Sequence, residues 1–177
     1  DTVTDFTRKS SPVERARALR NDDRGWDPAV WQQMGQLGWL AVPFPEAVGG
    51  MDGGFVDAAV IIEKLAKTLV PEPYVASVVL AGSAIALAGS PAQQARYLTP
   101  MIAGETSLAY AAYEPGRRFD AVPRETLCID GKLTGTKLWV ENGHAADHIV
   151  VTSVSENGPT LCVVDATAKG LSVTRVP

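Results

Sequence analysis

The sequence predicts an α+β protein in which an all-helical part, residues 1–105, precedes a β-sheet or barrel part, residues 106–177. Two observations predict it. Up to about Gly104, apolar residues recur every three or four positions behind helix-capping residues. From Thr106 onward, short β-branched runs alternate with turn residues. Helices first and strands second imply two segregated units, not a βαβ alternation.

The elements follow in order. Ser11-Pro12-Val13-Glu14 reads as a capping box, with Ser11 as N-cap, Pro12 at the first helical position and Glu14 reaching back. Asp27-Pro28 repeats the device ahead of Val30, Trp31, Met34 and Leu37, and Gly38 supplies a stop. A further helix fits Phe55 to Thr68, with Ala58, Ile61, Ile62, Leu65 and Leu69 as its stripe and Pro71 and Pro73 behind it. Tyr74 to Ala88 is apolar on nearly all sides and so reads as a central helix. It falls short of the ~20 residues a membrane span needs. Ser90-Pro91-Ala92-Gln93 caps a short helix carrying Tyr97 and Leu98. The strand runs are Leu127–Asp130, Lys132–Val140, His148–Val154, Thr160–Asp165 and Leu171–Val176, with hairpin turns at Asp130-Gly131 and Asn157-Gly158-Pro159.

Composition excludes several classes. With 46% hydrophobic and 20% charged residues, wholesale disorder is excluded. The net charge of −4 divides between the two parts without making either basic, which argues against nucleic-acid binding. No charged-then-apolar leader opens the sequence, and Cys128 and Cys162 lie in apolar runs that suit buried free thiols. These features point to the cytoplasm.

Generic catalytic patterns are empty. His144 and His148 lie in a turn with no third ligand, so no metal site is expected. Ser83 and Ser90 lack a nucleophile elbow, and Gly49-Gly50 with Gly53-Gly54 follow no predicted strand, so they read as a loop.

Three segments carry more. They are Leu37-Gly38-Trp39-Leu40-Ala41-Val42-Pro43-Phe44-Pro45-Glu46 followed by Gly49-Gly50, then Tyr110-Ala111-Ala112-Tyr113-Glu114-Pro115 ending in Asp120. The third is Leu133-Thr134-Gly135-Thr136-Lys137-Leu138-Trp139-Val140-Glu141-Asn142-Gly143 with Ala146-Asp147-His148-Ile149-Val150-Val151. Their order and spacing over residues 25–177 resemble the acyl-CoA dehydrogenase family. That resemblance implies a helical domain, a β-domain and a C-terminal helical bundle, the last absent from this chain. It also implies FAD as cofactor, an acyl-CoA substrate undergoing α,β-dehydrogenation, electron-transfer flavoprotein as acceptor, and a homo- or hetero-oligomer. The family's catalytic base lies in the C-terminal domain, so no catalytic residue is assigned here.

Carried over residue by residue, the resemblance places Tyr110, Ala112, Tyr113, Phe119, Trp139 and Glu141 around the flavin, and Arg118 with Phe119 at the substrate. An aromatic face for stacking and close backbone approach are what a flavin needs. Trp139 and the Tyr110–Tyr113 backbone are expected to line one cleft. A core aromatic in a strand is the alternative for Trp139, and flavin contact is favoured over it. Glu114 reads as a structural carboxylate, because an anion beside a flavin accepting electrons opposes the charge build-up. The chain departs from the family's pattern at Tyr113, Arg118, Phe119 and Glu141, where a threonine, Gly-Ser and a second threonine are usual. Bulky Tyr113 and Arg118 stand where backbone approaches a cofactor, and Arg118 could instead pair with a phosphate, Asp120 or Glu114. The Glu-Pro-Gly-Arg-Arg-Phe-Asp pattern resembles a branch that includes small subunits of heteromeric enzymes. Two functions therefore stand: an active FAD-dependent polypeptide, or a non-catalytic or half-site partner subunit. An unrelated helical-plus-β interaction protein is the third class.

Overall fold

A computed structural model describes residues 2–117 and 120–176. Helices come first: α1 (Thr2–Ser10), α2 (Val13–Leu19), α3 (Pro28–Gln36), α4 (Phe55–Ala66), a π-helix (Val75–Gly82) running into α5 (Ser83–Ala88), and α6 (Pro91–Ile102). Strands follow: β1 (Leu108–Ala111), β2 (Leu127–Ile129), β3 (Lys132–Thr134), β4 (His148–Ser155) and β5 (Gly158–Asp165). This is the helical part followed by a mixed sheet that the sequence predicts. Among the described residues, no helix is long and apolar enough to cross a membrane.

Two of the three expected caps form. Asp27 accepts the Ala29 amide at 2.9 Å, and Ser90 and Gln93 exchange bonds at 3.3 and 2.8 Å. The third does not. The N-cap of α2 is Pro12, and Ser11 is buried with its hydroxyl accepting from the Arg15 guanidinium at 3.1 Å. Arg15 grips the buried Glu72 with both terminal nitrogens. A tertiary ion pair has taken the hydroxyl that the local box would have used.

One core joins the two halves. Trp31, Met34, Leu40, Phe44, Leu98 and Met101 pack with Leu108 of β1 and Val150 of β4. The opposite parity, Ala109, Ala111, Ile149 and Val151, forms a smaller cluster with Ala146. A period of two thus covers both faces at the start of the sheet. The π-helix lies against β1, and its small residues allow this. Ser77 is fully buried, accepting the Leu108 amide at 3.0 Å and donating to the Leu108 carbonyl at 2.8 Å. A Cβ on Gly82 would stand 2.7 Å from the Phe44 ring. The helix is not enclosed on all sides, however, since Leu80 and Leu87 are exposed.

β5 pairs antiparallel with the whole of β4, so β1 and β2, both parallel to β4, share its other edge. The β2–β3 hairpin turns at Asp130 and Gly131, with φ of +49° and +72°. Three strand expectations are corrected. Lys132–Val140 stops at Thr134, Leu171–Val176 forms no strand, and Leu108–Ala111 adds one. Cys128 and Cys162 are free thiols, hydrogen-bonded to one another and half-buried where burial was expected.

The α3–α6 junction is equally close. A Cβ on Gly35 would meet the Ala103 carbonyl carbon and oxygen at 2.6 Å. Gly35→Ala should therefore cost about 1–3 kcal/mol, read as a lower urea midpoint at unchanged slope.

Candidate functional site

The site is assembled where β1 meets the segment 137–147. Asp147 accepts from the Ser107 amide at 2.7 Å and its hydroxyl at 3.1 Å, setting β1 beside β4. Beyond the far end of β1, the Leu138 amide donates to the Tyr113 carbonyl at 2.9 Å, bringing Trp139 next to the Tyr113 backbone. Immediately after it the chain folds into a tight turn. Gly143 donates to Val140 at 3.0 Å, and Ala145 and Ala146 donate to the Asn142 carbonyl at 3.0 and 2.9 Å. Asn142 anchors that turn, its buried side chain accepting from the Trp26 indole at 2.9 Å and donating to the Leu108 carbonyl at 3.4 Å.

Between these anchors Trp139 has φ +56° and is 71% exposed. A bulky residue in the left-handed region costs on the order of 1–3 kcal/mol and persists only where its surroundings over-determine it. Trp139 is therefore a held, outward aromatic and not a core side chain. The strand expected over it has already ended at Thr134, where the β2–β3 pairing stops and Gly135 takes φ +156°.

Behind the Tyr113 loop lies a buried ionic knot. Glu114 is 2% exposed and accepts the amides of Arg124, Glu125 and Thr126 at 2.9–3.0 Å. Lys137 completes it, reaching Glu114 at 3.0 Å, the Ala112 carbonyl at 3.1 Å and the Thr152 hydroxyl at 2.9 Å. Burial by itself would raise the Glu114 pKa. The Glu125 amide, the Lys137 ammonium and the other amides outweigh it and hold the carboxyl well below its ordinary range. Glu114 holds this loop together, the structural role favoured for it over a place beside a flavin. Asp120 closes the loop through Arg117 at 3.2 Å and Arg124 at 3.8 Å.

On the other side of the Asn142 turn is a cavity of about 410 Å³. Its apolar wall comes from Ile62, Leu65, Val70 and Tyr74, and Arg24, His144, Arg175 and Glu141 also line it. The Arg24 guanidinium stacks 4.8 Å over Trp26 and donates to Ala145 at 3.4 Å. Arg175 donates to the carbonyls of Asp22 and Asp23 at 2.8 and 3.3 Å. Glu141 is exposed, and among the described residues it makes no hydrogen bond or ion pair.

The expected residues are thus only partly gathered. Tyr110 is half-buried against the helical core because β1 alternation turns it that way, and burial pushes its phenol pKa up. Ala112 is buried and presents its carbonyl to Lys137. Tyr113 is half-buried. The cavity is lined by Glu141 but by none of Tyr110, Ala112, Tyr113 and Trp139, so the single cleft expected for these residues is not the cavity. Arg118 and Phe119 lie outside the described residues. Sequence reasoning did not single out Lys137, Arg24 and Arg175. Only Lys137 carries a signal, as the lone cation in a run of β-branched and small residues.

The family model described as acyl-CoA dehydrogenase, N-terminal domain, matches residues 1–105, more than half of the chain. The chain belongs to the acyl-CoA dehydrogenase family. A probable acyl-CoA dehydrogenase of Bacillus subtilis, YngJ, is 28% identical over 97% of this chain and 48% of its own length. Among solved family structures, a variant of the Tcur3481-Tcur3483 steroid ACAD superposes with a TM-score of 0.88 at 30% identity. That match covers 98% of this chain and 48% of the other. An acyl-CoA dehydrogenase from Bacillus anthracis, complexed with FAD, is 27% identical with a TM-score of 0.84, covering 98% of this chain and 32% of its own. The ChsE4-ChsE5 complex of Mycobacterium tuberculosis is similar at 26% identity and a TM-score of 0.87, covering 99% and 48%. The chain spans about half the length of the curated family members it matches.

Proposed function

We propose that this chain supplies the flavin-stacking and acyl-lining surfaces of an FAD-dependent acyl-CoA dehydrogenase. We place the division between its helical and β units at residues 105 and 106. The observation that carries the reading is Trp139, an exposed indole held at φ +56° by anchors on both sides. Surfaces that present an aromatic at a conformational cost are characteristic of ligand sites, and a flavin ring needs such a face. The exposed indole and the neighbouring Tyr113 backbone fit that ring. Tyr110 and Ala112 contribute as backbone behind it, since their side chains belong to the interior.

When bound, FAD would accept the β-hydrogen and its electron pair from the acyl thioester. This chain's residues bind and orient. Trp139 would offer its exposed face to the ring, the Asn142 turn would carry Glu141 two residues away, and the wall of Ile62, Leu65, Val70 and Tyr74 would take the acyl chain out of water. At about 410 Å³ the cavity is of the size that holds a small ligand.

The second reading, a non-catalytic or half-site partner subunit, is favoured by the Glu141 carboxylate at that junction. Similarity to two-component assemblies such as the ChsE4-ChsE5 complex also supports it. Purifying the intact protein and titrating it with FAD tests both. Stoichiometric flavin uptake, with bleaching on addition of an acyl-CoA and recovery through electron-transfer flavoprotein, is the expected result of the first. A colourless chain that takes up no FAD alone, but forms a complex with a homologous flavin-loaded chain, replaces it with the second.

A further inference from the structure

We propose that Glu141 lowers the reduction potential of a flavin held on Trp139, so that this chain's site keeps its flavin oxidised more strongly than a neutral residue there would. The inference rests on the flavin reading above and adds a redox role for a residue that reading merely places. Three observations carry it. Glu141 is two positions from the exposed indole, within a turn that the Trp26–Asn142 bond ties to the helical half at 2.9 Å. Glu141 also lines the cavity, which Trp139 does not, so one residue borders both the exposed indole's turn and the apolar wall. The nearby cations are engaged elsewhere. Arg24 lies over Trp26 and bonds the Ala145 carbonyl, while Arg175 bonds the carbonyls of Asp22 and Asp23. Neither arginine forms an ion pair with Glu141, which has none among the described residues.

The electrostatics follow. Two electrons and one proton convert FAD into the FADH⁻ anion. A carboxylate carried two residues from the indole would raise the energy of that anion and leave the neutral oxidised ring nearly unaffected. Water screens the interaction less at the edge of a cavity than on an open surface.

The test is a reductive titration of the intact, flavin-loaded protein against a dye of known potential, for the parent and for Glu141→Gln. Glutamine keeps the shape and removes the charge. The reduction equilibrium should shift at least tenfold toward reduced flavin, ~30 mV for a two-electron couple. Glu156→Gln, at the exposed turn between β4 and β5, removes the same charge away from the Asn142 turn and should leave the potential unmoved. Glu141→Ala, which cannot donate a hydrogen bond, should move it in the same direction as glutamine. A potential that shifts less than threefold in Glu141→Gln, or equally in Glu156→Gln, overturns the proposal. A parent protein that takes up no FAD overturns the flavin reading itself, which the uptake measurement reports before any potential is taken.

Discussion

Glu114→Gln should be among the most destabilising single changes in this chain. Glutamine keeps the volume and can still accept from some of the amides of Arg124, Glu125 and Thr126. It cannot neutralise Lys137, whose side chain is 7% exposed and whose Nζ would keep only the Ala112 carbonyl and the Thr152 hydroxyl. Breaking a buried pair by removing one charge costs about 3–5 kcal/mol, a large share of a typical domain stability of about 5–15 kcal/mol. Glu114→Gln combined with Lys137→Met removes both charges and should recover a good part of the loss, because replacing an ion pair by a matched uncharged set is often near neutral. Chemical denaturation of the four proteins gives the coupling directly. The same knot gives the pH dependence. The Glu114 pKa is depressed in the folded state relative to its ordinary value near 4.5. Its contribution is therefore complete above pH 4.5 and is lost progressively as pH falls below it. Glu114→Gln should lack this acid-side slope.

Replacing Trp139 separates binding from stability. Trp139→Ala removes the exposed indole and, on the proposed flavin reading, should weaken FAD binding by about tenfold to a hundredfold, or about 1.4–2.8 kcal/mol. Trp139→Gly should weaken it similarly while raising the thermal midpoint, since glycine adopts φ +56° without the cost that tryptophan bears. A flavin titration and a thermal melt on the same samples read both. A core role for Trp139 predicts the opposite melt, with both variants markedly less stable. Unchanged flavin affinity in both would remove Trp139 from the site.

Much of this fold is legible locally. α3 and α6 are announced by Asp27-Pro28 and Ser90-Pro91-Ala92-Gln93, and α4 by its apolar stripe, because caps and period arise from contacts within a few residues. The hairpin at Asp130-Gly131 is legible for the same reason, since both residues must take positive φ and this pair does so readily. The family assignment is legible as well, through three ordered segments, and the matched N-terminal domain confirms it.

Four features depended on partners distant in the chain. Ser11 loses its capping role to Arg15, which answers to Glu72, 57 residues further on. The run after Lys132 reads as one strand by composition. It kinks at Trp139 because Tyr113 fixes one side and Trp26, through Asn142, fixes the other. Lys137 is not singled out by sequence reasoning, and its role emerges only when Glu114, Ala112 and Thr152 close around it. Glu141 is placed around a flavin by resemblance, and only the assembled turn sets it on a cavity wall built by α4 and the loop that follows. Propensity and periodicity are short-range quantities, whereas the burial of a charge or the strain of one dihedral angle is set by whatever the folded chain brings against it.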